Sequence, residues 1–185
     1  DTEITEYNLD NYEHEKIVKL DSSYDIDSTK ISIFTLNSAD EEGNAKKIYA
    51  IYIGDKSRIS TDKVILYCHG NTGHMDYYWQ RAKLLANMNG KNHYGVMLFD
   101  YQGFVLSQGD PTEDNLYRDA DTALTWLKSQ GLTDNRLIIY GFSMGSAPAT
   151  NLTANARSMQ PAMLILEAPF ASSDIFVQDG TGLAL

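Results

Sequence analysis

The sequence predicts an α/β fold in which a mostly parallel sheet is covered by helices on both faces. From residue 63 onward, short runs that are apolar at every position alternate with segments whose apolar residues recur at helical spacing. Strands that are apolar throughout are buried on both faces, which is typical of parallel strands joined by crossover helices. The predicted parallel strands cover residues 64–68, 94–99, 136–140 and 162–166.

The first third of the chain has a different pattern. Residues 1–12 are polar and acidic without periodicity, which predicts a loosely held arm, and residues 13–185 are predicted to form one domain. Alternation of apolar and polar residues predicts strands at 14–20, 31–36 and 47–53. We expect these three strands to form an antiparallel edge of the sheet, with a hairpin joining the last two.

Three helices are predicted between the parallel strands. Residues 77–88 carry apolar side chains at helical spacing. Thr112 is placed to cap a second helix that runs to about Gln130, and Gly131 follows it. A third helix is expected from residue 144 to about 156.

Composition narrows the class of protein. Hydrophobic residues make up 43% of the 185 residues and charged residues 22%, as in an ordinary globular domain. No apolar run approaches the roughly 18 residues that a membrane span needs. The net charge of −10 argues against nucleic acid or an anionic membrane as the main partner. The single cysteine, Cys68, excludes an internal disulfide and is expected to be a buried thiol.

Other features leave the compartment open and predict no cofactor. The chain begins at Asp1, so a secreted, periplasmic or membrane-associated location stays possible. No metal-ligand spacing and no phosphate-binding glycine loop is present, so neither a metal nor an organic cofactor is predicted.

Glycine-rich or polar sequences follow each predicted parallel strand. These sequences are His69-Gly70-Asn71-Thr72-Gly73, Asp100-Tyr101-Gln102-Gly103, Gly141-Phe142-Ser143-Met144-Gly145 and Glu167-Ala168-Pro169. In parallel α/β sheets the ligand site lies at the carboxyl ends of the strands, so these segments are expected to meet there. Gly-x-Ser-x-Gly between a strand and a helix predicts a sharp turn that holds Ser143 in a strained conformation with its hydroxyl exposed.

These motifs, in this order, resemble the α/β-hydrolase superfamily over about residues 63 to 172. The segment from Asp100 to Gly109 is similar to the family pattern Asp-Tyr-x-Gly-Tyr-Gly-x-Ser-x-Gly, with Val105 in place of the second glycine. The segments 115–119 and 141–148 resemble a branch that contains depalmitoylase-like serine hydrolases.

The resemblance implies an α/β-hydrolase fold and a serine hydrolase that cleaves an ester, thioester or amide. The resemblance also implies that Ser143 is the nucleophile of an acyl-enzyme and that the backbone N–H groups of Met144 and Asn71 form the oxyanion hole. His69 and Gly70 belong to the oxyanion loop, where the family histidine has a structural, hydrogen-bonding part. Five aromatic residues near the predicted mouth are candidates for an acyl pocket, or for core packing: Tyr77, Tyr78, Trp79, Tyr101 and Phe104.

The general base is missing from the expected place. In this family the order along the chain is nucleophile, acid, histidine, but all four histidines, at positions 14, 69, 74 and 93, precede Ser143. His74 is the best substitute base within the chain, and Glu167 is a candidate acid that is more often structural. We therefore expect the triad acid and histidine, and the last strands of the fold, to lie outside this chain.

Two consequences follow for function. The 185-residue chain alone is predicted to be inactive, and a second chain segment is a possible partner that completes the domain. Besides hydrolysis of a small-molecule or acyl substrate, two alternatives stay open. One is a non-catalytic binding module that has lost its base, and the other is an acyltransferase, which uses the same serine.

Overall fold

The computed structural model describes residues 6–9 and 20–169. Within this part of the chain six strands form one sheet and three α-helices pack on it. The strands are β1 (Ile31–Ala39), β2 (Ala45–Ile53), β3 (Val64–Cys68), β4 (Gly95–Phe99), β5 (Leu137–Phe142) and β6 (Met163–Glu167). The helices are α1 (Met75–Ala86), α2 (Glu113–Ser129) and α3 (Ser146–Ala154).

The sheet has the order β1-β2-β4-β3-β5-β6. The hairpin of β1 and β2 is antiparallel, β2 is antiparallel to β4, and the remaining pairs are parallel. This arrangement confirms the mostly parallel sheet and the antiparallel edge formed by strands 31–36 and 47–53. Residues 14–19 of the other predicted edge strand, and the boundary between arm and domain at residue 12, lie outside the described residues.

Helices cover both faces of the sheet because the central strands are apolar on both sides. Along β3, Val64, Leu66 and Cys68 pack into one core cluster with α2 and α3, whereas Ile65 and Tyr67 pack into a second cluster with α1. All five side chains of β3 are buried, as a parallel strand between two helical layers requires. Burial also raises the pKa of the Cys68 thiol to about 12, which agrees with a buried thiol.

Several predicted boundaries shift, each for a local reason. The hairpin strands extend to Ala39 and from Ala45, because the chain reverses in a shorter loop in which Gly43 has φ +85°. The third helix was predicted from residue 144 to about 156, and the predicted start is wrong. A 3-10 turn occupies Ser143–Gly145, and α3 runs only over Ser146–Ala154.

The other helices agree closely with their sequence signals. Thr112 caps α2, with its hydroxyl accepting a hydrogen bond from the Asn115 N–H at 3.2 Å. α1 begins at Met75, two residues before the predicted start. Its N-terminus is fixed by tertiary contact, since the Met75 N–H donates to Asp100 Oδ1 at 3.0 Å.

Val105 is strained at the place where the family pattern has glycine. Its φ is +48°, in the left-handed region, and its side chain is 39% exposed. A β-branched residue in this region costs about 1–2 kcal/mol, while glycine loses about 0.5–1 kcal/mol in chain entropy on folding. We expect Val105→Gly to raise the free energy of unfolding by about 0.5–1 kcal/mol, because relief of the steric strain is the larger effect.

Thermal unfolding of the full-length protein checks this prediction. Val105→Ala is the matched control, since it removes the branched side chain but keeps the Cβ that causes the strain. If Val105→Gly and Val105→Ala were equally stable, positive φ at this turn would not be the cause.

Candidate active site

Ser143 lies at a sharp turn where β5 ends and the next helix begins. Its φ is +51°, so the residue adopts the strained left-handed conformation that the sequence predicts. The Ser146 hydroxyl donates to the Ser143 carbonyl at 2.6 Å and holds the turn closed. The turn therefore sets Ser143 at the carboxyl end of a central parallel strand, at the edge where sites form in such sheets.

The two glycines of the motif are required by close backbone approach. A Cβ on Gly145 would lie 2.0 Å from the carbonyl oxygen of Cys68, in the neighbouring strand. A Cβ on Gly141 would lie 2.8 Å from the Ala149 side chain on α3. Both contacts are shorter than atoms tolerate, so strand and helix can approach this closely only without these side chains.

His69 is held inside the protein by hydrogen bonds on both ring nitrogens. Its side chain is fully buried, Nε2 lies 2.9 Å from Asp100 Oδ1, and Nδ1 lies 2.8 Å from the Gly70 carbonyl oxygen. The ring also stacks on Tyr78 with centroids 4.8 Å apart. The Tyr101 hydroxyl donates to the His69 carbonyl at 2.8 Å. These contacts suit a residue that orients the loop after β3, because neither ring nitrogen is left to accept a proton from Ser143.

A groove with a volume of about 680 Å³ runs along α1 and has Ser143 at its wall. The loop after β3 contributes Gly70, Asn71 and Thr72 to the same groove. The structure thus brings together the predicted nucleophile and the predicted oxyanion loop, whereas Met144 packs its side chain against the core on the other face.

Aromatic and leucine side chains form much of the groove. They come from the ends of β3 and β5 and from α1: Tyr67, Tyr140, Phe142, Tyr77, Tyr78, Leu84 and Leu85. Of the five aromatic residues considered in the sequence, Tyr77 and Tyr78 are in this wall, while Trp79 and Tyr101 are buried in the core. Phe104 packs against the core cluster next to α2 and α3.

Glu167 is also in the groove, where it pairs with Arg81. Arg81 Nη1 lies 2.9 Å and 2.7 Å from the two carboxylate oxygens, and the Tyr140 hydroxyl donates to Oε2 at 2.5 Å. Burial acts to raise the pKa of Glu167, but the hydrogen bonds from Arg81 and Tyr140 prevail and lower it. The Arg81 guanidinium also lies over the Phe142 ring, 4.4 Å from its centroid.

The sequence reasoning did not single out Arg81 or Tyr140. The sequence did contain a signal that could have predicted Arg81 near the site. Arg81 stands four residues after Tyr77 on α1, so the two residues share one face of the helix. Tyr140 gave no such signal within an apolar strand. Only the parallel pairing of β5 with β6, which sets Tyr140 opposite Ile165, brings it close to Glu167.

The described histidines lie away from the wall of the groove. His74 precedes α1 and is buried, with Nδ1 3.8 Å from Asp76 Oδ2. His93 is exposed and packs edge-on against Tyr94. His14 lies outside the described residues. Among residues 6–9 and 20–169, the groove that holds Ser143 therefore contains no histidine.

Asp76 is a buried acid beside this site. It is 3% exposed and accepts a hydrogen bond from the Asn8 N–H at 2.8 Å. Burial, with a smaller contribution from the Asp100 charge, raises the pKa of Asp76 to about 6 against the opposing hydrogen bond from Asn8. The folded protein therefore holds the Asp76 proton more tightly than the unfolded chain does.

This shift predicts a pH dependence of stability. Between about pH 4 and 6 the folded state binds more protons than the unfolded state, so the free energy of unfolding falls as the pH rises through this range. We expect Asp76→Asn to remove the fall and to stabilise the protein above pH 7 by up to about 3 kcal/mol. Melting temperatures from pH 4 to 8 measure both effects.

Asp21→Asn is the control, because Asp21 is exposed and its pKa is lowered by hydrogen bonds from Ser23. Its contribution to stability changes only below about pH 4, outside the tested range. Parallel pH profiles for the wild type and Asp76→Asn would contradict the assignment.

Neither a membrane-spanning helix nor a metal-binding cluster is found among the described residues. No helix within residues 6–9 and 20–169 is long and apolar enough to cross a bilayer. In the same part of the chain, no group of three or more His, Cys, Asp or Glu side chains is arranged to hold a metal ion.

Solved structures share this fold. An α/β-hydrolase from Vibrio vulnificus matches 70% of the chain, and the chain covers 43% of that protein, with 24% identity and a TM-score of 0.53. An esterase from Pyrococcus furiosus matches 70% of the chain, which covers 49% of it, with 21% identity and a TM-score of 0.53. At these identities the likeness shows the fold alone, and it confirms the α/β-hydrolase prediction.

Curated relatives match the central part of the chain. The lysophosphatidylserine lipase ABHD12 of Danio rerio is 38% identical over 122 residues, which are 64% of this chain and 31% of the relative. The same lipase of Xenopus tropicalis is 40% identical over 113 residues, 59% of this chain and 28% of the relative. The chain thus spans about a third of the length of the lipases that it matches.

A family model identifies the chain more directly. The model described as serine aminopeptidase, S33, matches residues 59–181. The match begins before β3 and includes the loop after β3, the Ser143 turn and β6. It covers more than half of the chain and agrees with the fold, with the order of the strand-end motifs and with the lipase relatives. The chain therefore belongs to the serine aminopeptidase S33 family of α/β-hydrolases.

Proposed function

We propose that the full-length protein hydrolyses acyl esters and that Ser143 is the nucleophile that forms the acyl-enzyme. One observation carries the proposal: Ser143 is held at φ +51° in the wall of the same groove as Gly70, Asn71 and Thr72. Strained backbone conformations cluster at active sites, which supports a functional part for Ser143 in this groove. The loop beside it supplies backbone groups of the kind that stabilise an oxyanion.

The chemistry runs in two steps. Ser143 Oγ attacks the ester carbonyl carbon while its proton passes to a general base, and the carbonyl oxygen becomes an oxyanion that accepts hydrogen bonds from the Met144 and Asn71 N–H groups. The intermediate expels the alcohol, which receives the proton from the base. Water then attacks the acyl-enzyme in the same manner, releasing the carboxylic acid and the free serine.

The general base is proposed to come from outside the described residues. The groove in the described part of the chain contains no histidine, and the chain spans about a third of its lipase relatives. We therefore expect the full-length protein to supply the histidine and its acid, and the 185-residue chain to be silent in ester hydrolysis. His74 is disfavoured as a substitute because it lies buried beside Asp76, outside the groove wall.

The substrate class that fits best is a lipid with a single acyl chain. The aromatic and leucine side chains along α1 provide an apolar surface for the chain, and the 680 Å³ groove is large enough for a ligand of that size. The name of the lipase relatives supports the same class. Thioesters and amides of similar shape would use the same serine.

Hydrolysis of a matched ester, thioester and amide by the full-length protein tests the proposal. We expect kcat/KM to be highest for the long-chain ester, and Ser143→Ala to lower kcat by a factor of about 10³ or more. Ser129→Ala is the control and should leave kcat unchanged, because Ser129 is exposed at the end of α2, where its hydroxyl donates to the Trp126 carbonyl. Hydrolysis that persists in Ser143→Ala would contradict the assignment, and transfer of the acyl group to an added alcohol instead of water would indicate an acyltransferase.

A further inference from the structure

The N-terminal residues that the structure describes contact two buried carboxylates next to the oxyanion loop. The Tyr7 hydroxyl donates to Asp100 Oδ2 at 2.5 Å, and the Asn8 N–H donates to Asp76 Oδ2 at 2.8 Å. Tyr7 also packs against Tyr49 and the His74 ring, with centroids 5.9 Å and 6.3 Å away. This short segment is therefore fixed to the domain by polar and aromatic contacts together.

Asp100 connects both ends of the oxyanion loop. Its Oδ1 atom lies 2.9 Å from His69 Nε2, where the loop begins, and accepts the Met75 N–H at 3.0 Å, where the loop passes into α1. Gly70 is held in turn by the ring of His69. The orientation of one carboxylate thus determines where the loop that carries Asn71 begins and ends.

Tyr7 fixes the second oxygen of that carboxylate. Asp100 is fully buried, and Tyr7 is the donor that the structure gives to Oδ2 among the described residues. Burial, followed by the charge of Asp100, raises the pKa of the Tyr7 phenol, which keeps the hydroxyl protonated as a donor. A buried carboxylate oxygen that loses its donor is expected to rotate or to recruit water, because an unpaired polar atom in the interior is unfavourable.

We propose that Tyr7 is a positioning residue for the oxyanion loop and acts through Asp100. It does not line the groove and does not touch the reacting atoms. It holds the Asp100 carboxylate in the one orientation that serves His69 and Met75 together. The inference rests on the proposed function, since it concerns the loop that supplies the Asn71 N–H to the oxyanion.

The test compares Tyr7→Phe with the wild type in the full-length protein, with a long-chain ester as substrate. Loss of the hydroxyl should lower kcat about 10-fold with less than a 2-fold change in KM, because an oxyanion donor acts on the transition state and small displacements of it are costly. Tyr117→Phe is the control. It removes a similar hydrogen bond, from Tyr117 to Glu113 on α2, and should leave kcat unchanged.

A second variant separates positioning from loss of structure. Replacement of Tyr7 by 4-aminophenylalanine keeps a donor at the ring position and should restore most of kcat. Unchanged kcat in Tyr7→Phe would overturn the inference. A fall in kcat that 4-aminophenylalanine does not rescue would also overturn it. So would a fall in kcat that accompanies a lower melting temperature and an equal change in KM. A wild-type protein that hydrolyses no ester and does not react at Ser143 would overturn the proposed function itself.

Discussion

Ser143→Gly is expected to abolish ester hydrolysis by the full-length protein and at the same time to make the protein more stable. Hydrolysis stops because the nucleophilic hydroxyl is lost, with a fall in kcat of about 10³-fold or more. Stability rises because Ser143 has φ +51°, where a residue with a Cβ costs about 1–2 kcal/mol and glycine is unstrained. A nucleophile turn holds its serine in a strained backbone conformation, and the strain lowers the stability of the protein.

Ser143→Ala is the matched variant for this prediction. It removes the same hydroxyl but keeps the Cβ, so it should be as inactive as Ser143→Gly without the gain in stability. Unfolding by denaturant measures the difference, which we expect to be about 0.5–1 kcal/mol after the greater chain entropy of glycine is included. If Ser143→Gly were the less stable of the two, the strain at this residue would not be real.

Gly145→Ala is expected to have the largest effect on stability. The added Cβ would lie 2.0 Å from the Cys68 carbonyl oxygen and 2.7 Å from that of His69. Both atoms belong to the backbone of a central strand or its continuation, so no side chain can rotate to make room. The turn and β3 must move apart, and we expect a loss of about 3 kcal/mol or more, or failure to fold.

Gly43→Ala is the control for that measurement. Gly43 has a positive φ of +85°, whereas Gly145 has an ordinary φ of −64°, and a Cβ on Gly43 would meet nothing within 4 Å. It should cost only the strain of the left-handed backbone, about 1–2 kcal/mol. A loss in Gly145→Ala no larger than that in Gly43→Ala would contradict the account, because the close approach of residue 145 to β3 would then cost no more than left-handed strain.

The sequence was sufficient for the fold because its two strand classes have different apolar patterns. Continuous apolar runs predicted the parallel strands, of which β3 and β4 are buried throughout, and alternating runs predicted the hairpin at the edge. The burial expected for the run at 162–166 was wrong within the described residues, because β6 lies at the edge of the sheet with Met163 and Leu166 exposed. It was also sufficient for the Ser143 turn, since Gly141 and Gly145 mark close contacts that only glycine permits. The start of α3 at Ser146 was not predictable, because the tertiary contact of Gly145 with β3 tightens the turn that precedes the helix.

The surroundings of the site depended on contacts between distant parts of the chain. Arg81 and Glu167 are 86 residues apart, and Tyr7 and Asp100 are 93 residues apart. No local spacing reports such pairs. For the same reason His74 was a reasonable candidate base in the sequence, since it follows the oxyanion loop, and only its burial beside Asp76 separates it from the groove.

The most direct test of the central proposal is reaction of the full-length protein with a fluorophosphonate, followed by peptide mapping by mass spectrometry. The reagent phosphonylates an activated serine and mimics the tetrahedral intermediate, so it reports the nucleophile and the oxyanion hole together. We predict one adduct, on Ser143 in the peptide that contains Gly141 to Gly145, and none in Ser143→Ala. A protein that carries no adduct, or one whose adduct lies on another serine, would contradict the proposal.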